Sequence, residues 1–173
     1  MKGLGVTGVN NFATGKNSLQ KLTDGSGNVA IGPATLQELS SGVENIAIGN
    51  QTLNANTGDR NVAVGAAAGA DCTGNQNLFL GYLAGAYQTT VSNKLIIDAW
   101  NRGSSLGEND NALIIGQFAA TAPDQTVTLN AVLKLKPIAG APSSPVEGMI
   151  YYDSTAHMLY CYGGSPLAWK ALF

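Results

Sequence analysis

Asn28-Val29-Ala30-Ile31-Gly32 is followed by Pro33-Ala34-Thr35-Leu36, and the pattern recurs along the chain. Asn11-Phe-Ala-Thr-Gly15, Asn45-Ile-Ala-Ile-Gly49, Asn61-Val-Ala-Val-Gly65 and Asn77-Leu-Phe-Leu-Gly81 repeat its first half. Gly15-Lys-Asn-Ser-Leu19, Gly49-Asn-Gln-Thr-Leu53, Gly65-Ala-Ala-Ala-Gly69 and Gly81-Tyr-Leu-Ala-Gly85 repeat its second. Successive asparagines stand 17, 17, 16 and 16 residues apart. Nine positions held in register five times over are the mark of a stacked repeat architecture.

A segment such as Val29-Ala30-Ile31 is too short for a helix and is β-branched on alternate positions, so each copy supplies a brief strand. Asn opens the strand and Gly closes it, two residues that readily adopt positive φ in tight turns. Ser18, Thr35 and Thr52, each with its following Leu, predict a second short strand, so that one copy is one coil of two strands and two turns. Such a coil cannot stand alone. Ordering its residues costs about 1–2 kcal/mol each, and its few buried aliphatic side chains return roughly 1.5–3 kcal/mol each.

Stacking turns equivalent positions into columns. Thr14, Ile31, Ile48, Val64 and Leu80 read as the apolar interior column. Ala13, Ala30, Ala47, Ala63 and Phe79 then face outward. An outer alanine column suits close packing against another copy of the chain, so Ala30, Ala47, Ala63 and Phe79 are the expected packing residues, with Phe79 widening the contact. Asn93-Lys-Leu-Ile-Ile-Asp98 and Asn111-Ala-Leu-Ile-Ile-Gly116 read as altered end coils.

Composition narrows the function. The 173 residues include 22 glycines and carry a net charge of −2 with only 12% charged residues, half the usual ~25%. At 45% hydrophobic the chain is not of the disordered class, and scattered charges offer no footprint for nucleic acid or an anionic membrane. No uncharged stretch reads as a membrane-spanning helix, and Met1-Lys2 leads into no apolar signal-type core.

The repeat resembles the head repeats of trimeric adhesins, in which three chains each wind a left-handed parallel β-roll around a threefold axis. The form running through Phe79-Leu-Gly-Tyr-Leu-Ala-Gly85 and Ser92-Asn-Lys-Leu-Ile-Ile-Asp98 is similar to that of tail-fibre and other virion proteins of bacteriophages. The resemblance covers roughly residues 10–118. It implies an all-β homotrimeric parallel β-roll, or β-solenoid, of about 16–17 residues per repeat. Without a signal peptide, heptad stalk or membrane anchor in this sequence, it favours a virion protein over a bacterial surface adhesin, so the expected location is the virion.

Pro137, Pro142 and Pro145 mark a boundary after Leu135. Gly148-Met-Ile-Tyr-Tyr-Asp153, the turn Ser154-Thr-Ala156, and His157-Met-Leu-Tyr-Cys-Tyr-Gly163 predict a hairpin, followed by Trp169. The pattern is similar to a short β module near the ends of many phage fibre proteins. The expected organisation is a lead-in over 1–10, the repeat domain over 11–118, a connecting strand and Pro-rich linker over 119–145, and a C-terminal β-hairpin module over 146–173. Because the repeat begins by Asn11, the C-terminal module is expected to dock on other virion proteins of the capsid, baseplate or tail. Tyr151, Tyr152, Tyr160, Tyr162 and Trp169 either fill the module and a seam between copies, or contact a virion partner or host glycan. A receptor-binding tip for surface glycan is the alternative reading.

Residues for catalysis are sparse, and no enzymatic activity or cofactor is expected. Gly3-Leu-Gly5-Val-Thr-Gly8 matches a dinucleotide fingerprint as a string but lacks the preceding strand and following helix. A triad would need His157, the single histidine, and a sugar-cleaving tailspike would need paired carboxylates in a groove. Asp98, Glu108 and Asp110 could gather oxygen ligands for Ca²⁺, though no loop spacing matches a known cage, so no metal site is expected. Cys72 and Cys161 read as two unpaired thiols. The sequon Asn50-Gln-Thr52 lies inside a repeat.

Overall fold

The computed structural model describes residues 8–121, 124–135, 138–163 and 168–171. Gly3 to Thr7 of the glycine string lie outside them, as do Pro137 and the ends of the C-terminal segment. The chain divides into two compact units, Met1–Ala131 and Val132–Phe173.

The first unit is an all-β solenoid of about five parallel repeats, closed by antiparallel strands and one short helix. Its strands are β1 (Phe12–Thr14), β2 (Val29–Ile31), β3 (Ile46–Ile48), β4 (Val62–Val64), β5 (Leu78–Leu80) and β6 (Lys94–Ile97). Helix α1 (Ser105–Asn111) follows, then β7 (Ile114–Gln117) and β8 (Thr126–Leu129). All eight strands form one sheet in chain order. From β1 to β6 each pairing is parallel, as one strand per coil requires, and β7 and β8 add antiparallel.

A three-residue strand points its middle side chain one way and its flanking side chains the other. The inner and outer columns are the reverse of the sequence expectation. Ala30, Ala47, Ala63 and Phe79 are fully buried in the chain's own core, so they are not surface packing residues. The physical reason is the width of the coil. Leu19, Leu36 and Leu53 on the opposite leg are also buried and leave room for little more than a methyl group on the strand side. Where that leucine is replaced, the strand residue grows. A Cβ built at Gly69 would sit 2.7 Å from Phe79, and one at Gly85 would sit 2.4 Å from it. Phe79 therefore fills the volume that two absent leucines vacate.

The expected second strand is a run of turns. Leu19, Leu36 and Leu53 adopt φ of 47°, 50° and 48°, with Gly69 and Gly85 at the same positions at 59° and 67°, and left-handed corners cannot continue as a strand. Backbone bonds still link this leg from coil to coil, from the amide of Leu36 to the Thr52 carbonyl and from that of Glu38 to the Asn54 carbonyl for example. Gly49 closes its strand at φ 136°, where a Cβ would stand 2.6 Å from the Gly65 carbonyl oxygen.

The repeated asparagine has a different task from the one expected. The left-handed residue is the one before it, such as Gly27, Glu44, Arg60 or Gln76. The Asn side chain itself forms a buried amide ladder. Asn28 Oδ1 accepts from the backbone N–H and the Nδ2 of Asn45, at 3.0 Å each, and Asn45 Nδ2 donates to the Gly58 carbonyl at 2.9 Å. The same set links Asn11 to Asn28, Asn45 to Asn61 and Asn61 to Asn77. Asn77 Oδ1 accepts from the Lys94 amide, where the ladder stops.

That stop corrects the reading of the end coils. Lys94, not Asn93, stands at the ladder position, and Asn93 is the left-handed corner before it at φ 60°. Asn111 is the last residue of α1, so β7 returns antiparallel to β6 and is not another coil. Ser104 caps the helix by accepting from the Gly107 amide.

The second unit is a three-stranded antiparallel sheet of β9 (Ile150–Asp153), β10 (Met158–Gly163) and β11 (Ala168–Ala171), with β10 in the centre. The predicted hairpin is its β9–β10 part. Asp153 accepts from the amides of Thr155 and Ala156 in the turn, which holds its carboxyl below the usual range, and His157 leaves the turn at φ 55°.

Candidate functional site

Once alanine fills the interior, the branched residues of every strand must face outward. They form two columns. One runs Phe12, Val29, Ile46, Val62, Leu78, Leu95, Gly116, Val127, and the other Thr14, Ile31, Ile48, Val64, Leu80, Ile97, Ile114, Leu129. None of the sixteen positions carries a charge. Ile46, Ile48 and Val64 are 39%, 37% and 39% exposed, and Phe12, Val127 and Leu129 are also exposed. With strands about 4.8 Å apart, this apolar ribbon is roughly 34 Å long and, with its side chains, roughly 10 Å wide. A contiguous uncharged patch of that size marks an interaction surface more often than a solvated one.

The other legs of the coils carry the polar groups. Lys21 pairs with Glu38 and Arg60 with Glu44, one coil to the next, all on exposed positions. The matching legs of the fourth and fifth coils are less polar, with Ala66, Ala67 and Leu83 half-buried and Tyr82 exposed. Sequence reasoning found these columns but placed them inside. The signal that could have oriented them was the replacement of Leu by Gly69 and Gly85 beside the enlargement of Ala to Phe79.

The acidic residues near the solenoid end do not converge. The Asp98 carboxylate is held by Arg102, with Nε at 2.5 Å and Nη2 at 2.9 Å. Glu108 turns inward from α1, and Asp110 is exposed. Among the described residues no group of three His, Cys, Asp or Glu side chains is placed to hold a metal ion. Glu108 instead meets an increasingly polar interior column of Leu22, Leu39, Asn56, Cys72 and Gln88. Its Oε2 accepts from Gln88 Nε2 at 2.9 Å, and its Oε1 is buried.

Burial pushes the Glu108 carboxyl above the ordinary carboxyl range, against a smaller opposing pull from the Gln88 amide. An acid whose pKa is raised on folding favours its protonated folded form. Its contribution to stability is therefore complete below the unfolded-state pKa and declines as pH rises through the folded-state value. Glu108→Gln removes this dependence, so its thermal midpoint falls less than the parent's as pH is raised from the ordinary carboxyl range toward neutrality. Parallel melts followed by circular dichroism check this, and identical pH profiles would contradict it.

In the second unit Tyr151, Tyr160, Tyr162 and Trp169 share one face. Tyr151 stacks on Tyr160 with centroids 5.2 Å apart and meets Trp169 edge-on at 4.6 Å, and Tyr162 lies 5.1 Å from Trp169. Tyr152 lies on the opposite face, where its hydroxyl is 3.5 Å from His157 Nδ1. The five aromatic residues expected to act together are thus split, and Tyr151 is buried. Cys72 and Cys161 are both free thiols, and burial pushes the Cys72 thiol up.

No protein-family profile, no curated protein and no solved structure matches the chain. No helix among the described residues is long and apolar enough to cross a membrane.

Proposed function

We propose that this chain is a non-enzymatic structural protein that assembles as a homotrimer through its ribbon of branched side chains, forming a short fibre, spike or decoration of a bacteriophage particle. The observation that carries the assembly is the uncharged outer face spanning all eight strands. A second copy supplies an occupant of the same length, spacing and chemistry. In a threefold arrangement each ribbon faces the axis, and one column of a chain meets the other column of its neighbour. The threefold count and the viral setting come from the resemblance of the repeat to adhesin heads and phage fibres.

The mechanism is mechanical. A solenoid whose coils are locked by amide ladders is stiff, and joining three covers the apolar side of each. The C-terminal module serves attachment to other virion proteins. Mass spectrometry of purified particles tests the setting, with the chain expected at a copy number divisible by three. Particles that assemble without it as a component contradict the proposal. Glycan binding by the purified protein, abolished by changes at Tyr160 or Trp169, would instead favour a receptor-binding tip.

A further inference from the structure

The turn legs of the solenoid are joined in one direction. Amides of one coil donate to carbonyls of the next, Leu53 to Ala68 and Ala55 to Ala70, then Gly69 to Ala84 and Asp71 to Ala86. The equivalent amides of the fifth coil are those of Gly85 and Tyr87, and after β6 the chain enters α1 instead of a sixth turn leg. Backbone donors at the end of a stack need either a partner or water.

The segment that covers this end is the loop over 98–113. Its two ends are held together, because Ile97 and Ile114 face each other in the β6–β7 pairing. A loop closed at its base can lift without breaking the sheet that carries it. Few contacts hold it down. Gln88 Nε2 donates to the Ser105 carbonyl at 3.2 Å and to Glu108 Oε2 at 2.9 Å, and the Tyr87 hydroxyl donates to Asn101 Oδ1 at 2.9 Å. Within the loop only Asp98, Glu108 and Ala112 are buried. Helix α1, with seven residues, is too short to persist without such contacts.

Glu108 is the residue that reaches the interior, where it is 2% exposed. Its carboxyl follows Gln88 in the interior column and lies against the amides of Tyr87 and Ala86, so an acid stands where a sixth coil would place its carbonyls. The charged group that faces it is Asp98, whose carboxylate is bound by Arg102. The Tyr87 hydroxyl is turned to Asn101, and Cys72 lies one level below Gln88. Lys94 of β6 makes no ion pair among the described residues, and β7 carries no charged side chain. An ionised Glu108 is therefore buried beside a second carboxylate, with Arg102 already engaged.

We infer that residues 98–113 form a pH-gated strap, shut over the last coil while Glu108 is protonated and lifted when it ionises, which uncovers the amides of Gly85 and Tyr87. Burial raises the Glu108 carboxyl above its ordinary range, so the shut form favours the proton. Closure is at full strength below the pKa of the lifted form and weakens as pH rises through that of the shut form. The strap works within one chain, whatever the assembly.

Hydrogen exchange on the 173-residue chain, resolved by fragment and corrected for the intrinsic pH dependence of exchange, reads the strap. From about pH 5 to about pH 8, protection over 84–89 and 98–113 is expected to fall about tenfold or more, which corresponds to a tenfold difference in proton affinity between the two forms. Protection of β3 and β4 is expected to hold. Glu108→Gln is expected to flatten the fall, and Asp98→Asn, which removes the facing charge, to move it to lower pH. A parent without the fall, or one that loses protection equally along the whole solenoid, would overturn the strap. A fall at the parent's pH in both variants, or in whichever of them folds, would overturn Glu108 as its trigger.

Discussion

Replacing Asn45 with Leu is expected to lower the unfolding free energy by about 2–6 kcal/mol, the cost of leaving two buried polar groups without partners at roughly 1–3 kcal/mol each. Asn45 Nδ2 satisfies the Gly58 carbonyl, and its Oδ1 accepts both the backbone N–H and the Nδ2 of Asn61. All three asparagines Asn28, Asn45 and Asn61 are fully buried, so water cannot take over these bonds. Leucine has a similar volume and adds apolar surface, which isolates the hydrogen-bonding loss from a cavity. The ladder also makes the damage propagate, because Asn61 holds Asn77 in the same way. Asn50→Leu provides the contrast, since Asn50 is exposed in the next turn and surface changes usually stay within about 0.5 kcal/mol. Denaturant unfolding of both variants checks the pair, and equal stability would show that the ladder contributes little.

The second large effect concerns assembly. Ile46→Asp combined with Ile48→Asp places two carboxylates in the centre of the outer ribbon. Both positions are more than a third exposed in the single chain, so the fold tolerates them. Inside an uncharged interface each unpaired carboxylate costs several kcal/mol. Repeated around a threefold axis, these changes raise the concentration for half-assembly by at least about a hundredfold, which corresponds to ~2.8 kcal/mol. Light scattering and far-ultraviolet circular dichroism together report the outcome: a folded β protein at monomer mass. A variant that keeps the parent's mass would remove the ribbon from the interface. The matched change Ala47→Asp acts differently, because Ala47 is fully buried, and it is expected to unfold the coil before assembly is at issue.

The comparison of these two positions shows what could be read from the residues. The period fixed the coil, the parallel pairing and the glycine that closes each strand, because spacing and positive φ leave local signatures. Alternation within Val29-Ala30-Ile31 separated two faces but did not say which lay inside. The usual rule, that the larger aliphatic residue is buried, fails where a coil is narrow and leucines from the opposite leg occupy its centre. Only the pairing of Phe79 with Gly69 and Gly85 carries that information, and it concerns residues on opposite legs of the coil and in the coil before. The asparagine ladder was hidden for a related reason. A repeated Asn serves equally as a turn former or as a buried amide, and the choice depends on contacts 16 or 17 residues away. Helix α1 escaped notice because Ser104-Ser105-Leu106-Gly107-Glu108 reads as a loop until Glu108 is seen to fill the end of the interior column. In the C-terminal module, strand alternation was legible, but the division of Tyr151 from Tyr152 between opposite faces follows from the register with Tyr160 and Leu159.

The apolar ribbon is expected to be covered by copies of the same chain. Light scattering on the purified 173-residue chain at neutral pH tests this most directly. The predicted result is a single species of three times the 17.7 kDa chain mass. A single species at 17.7 kDa across micromolar concentrations would contradict it.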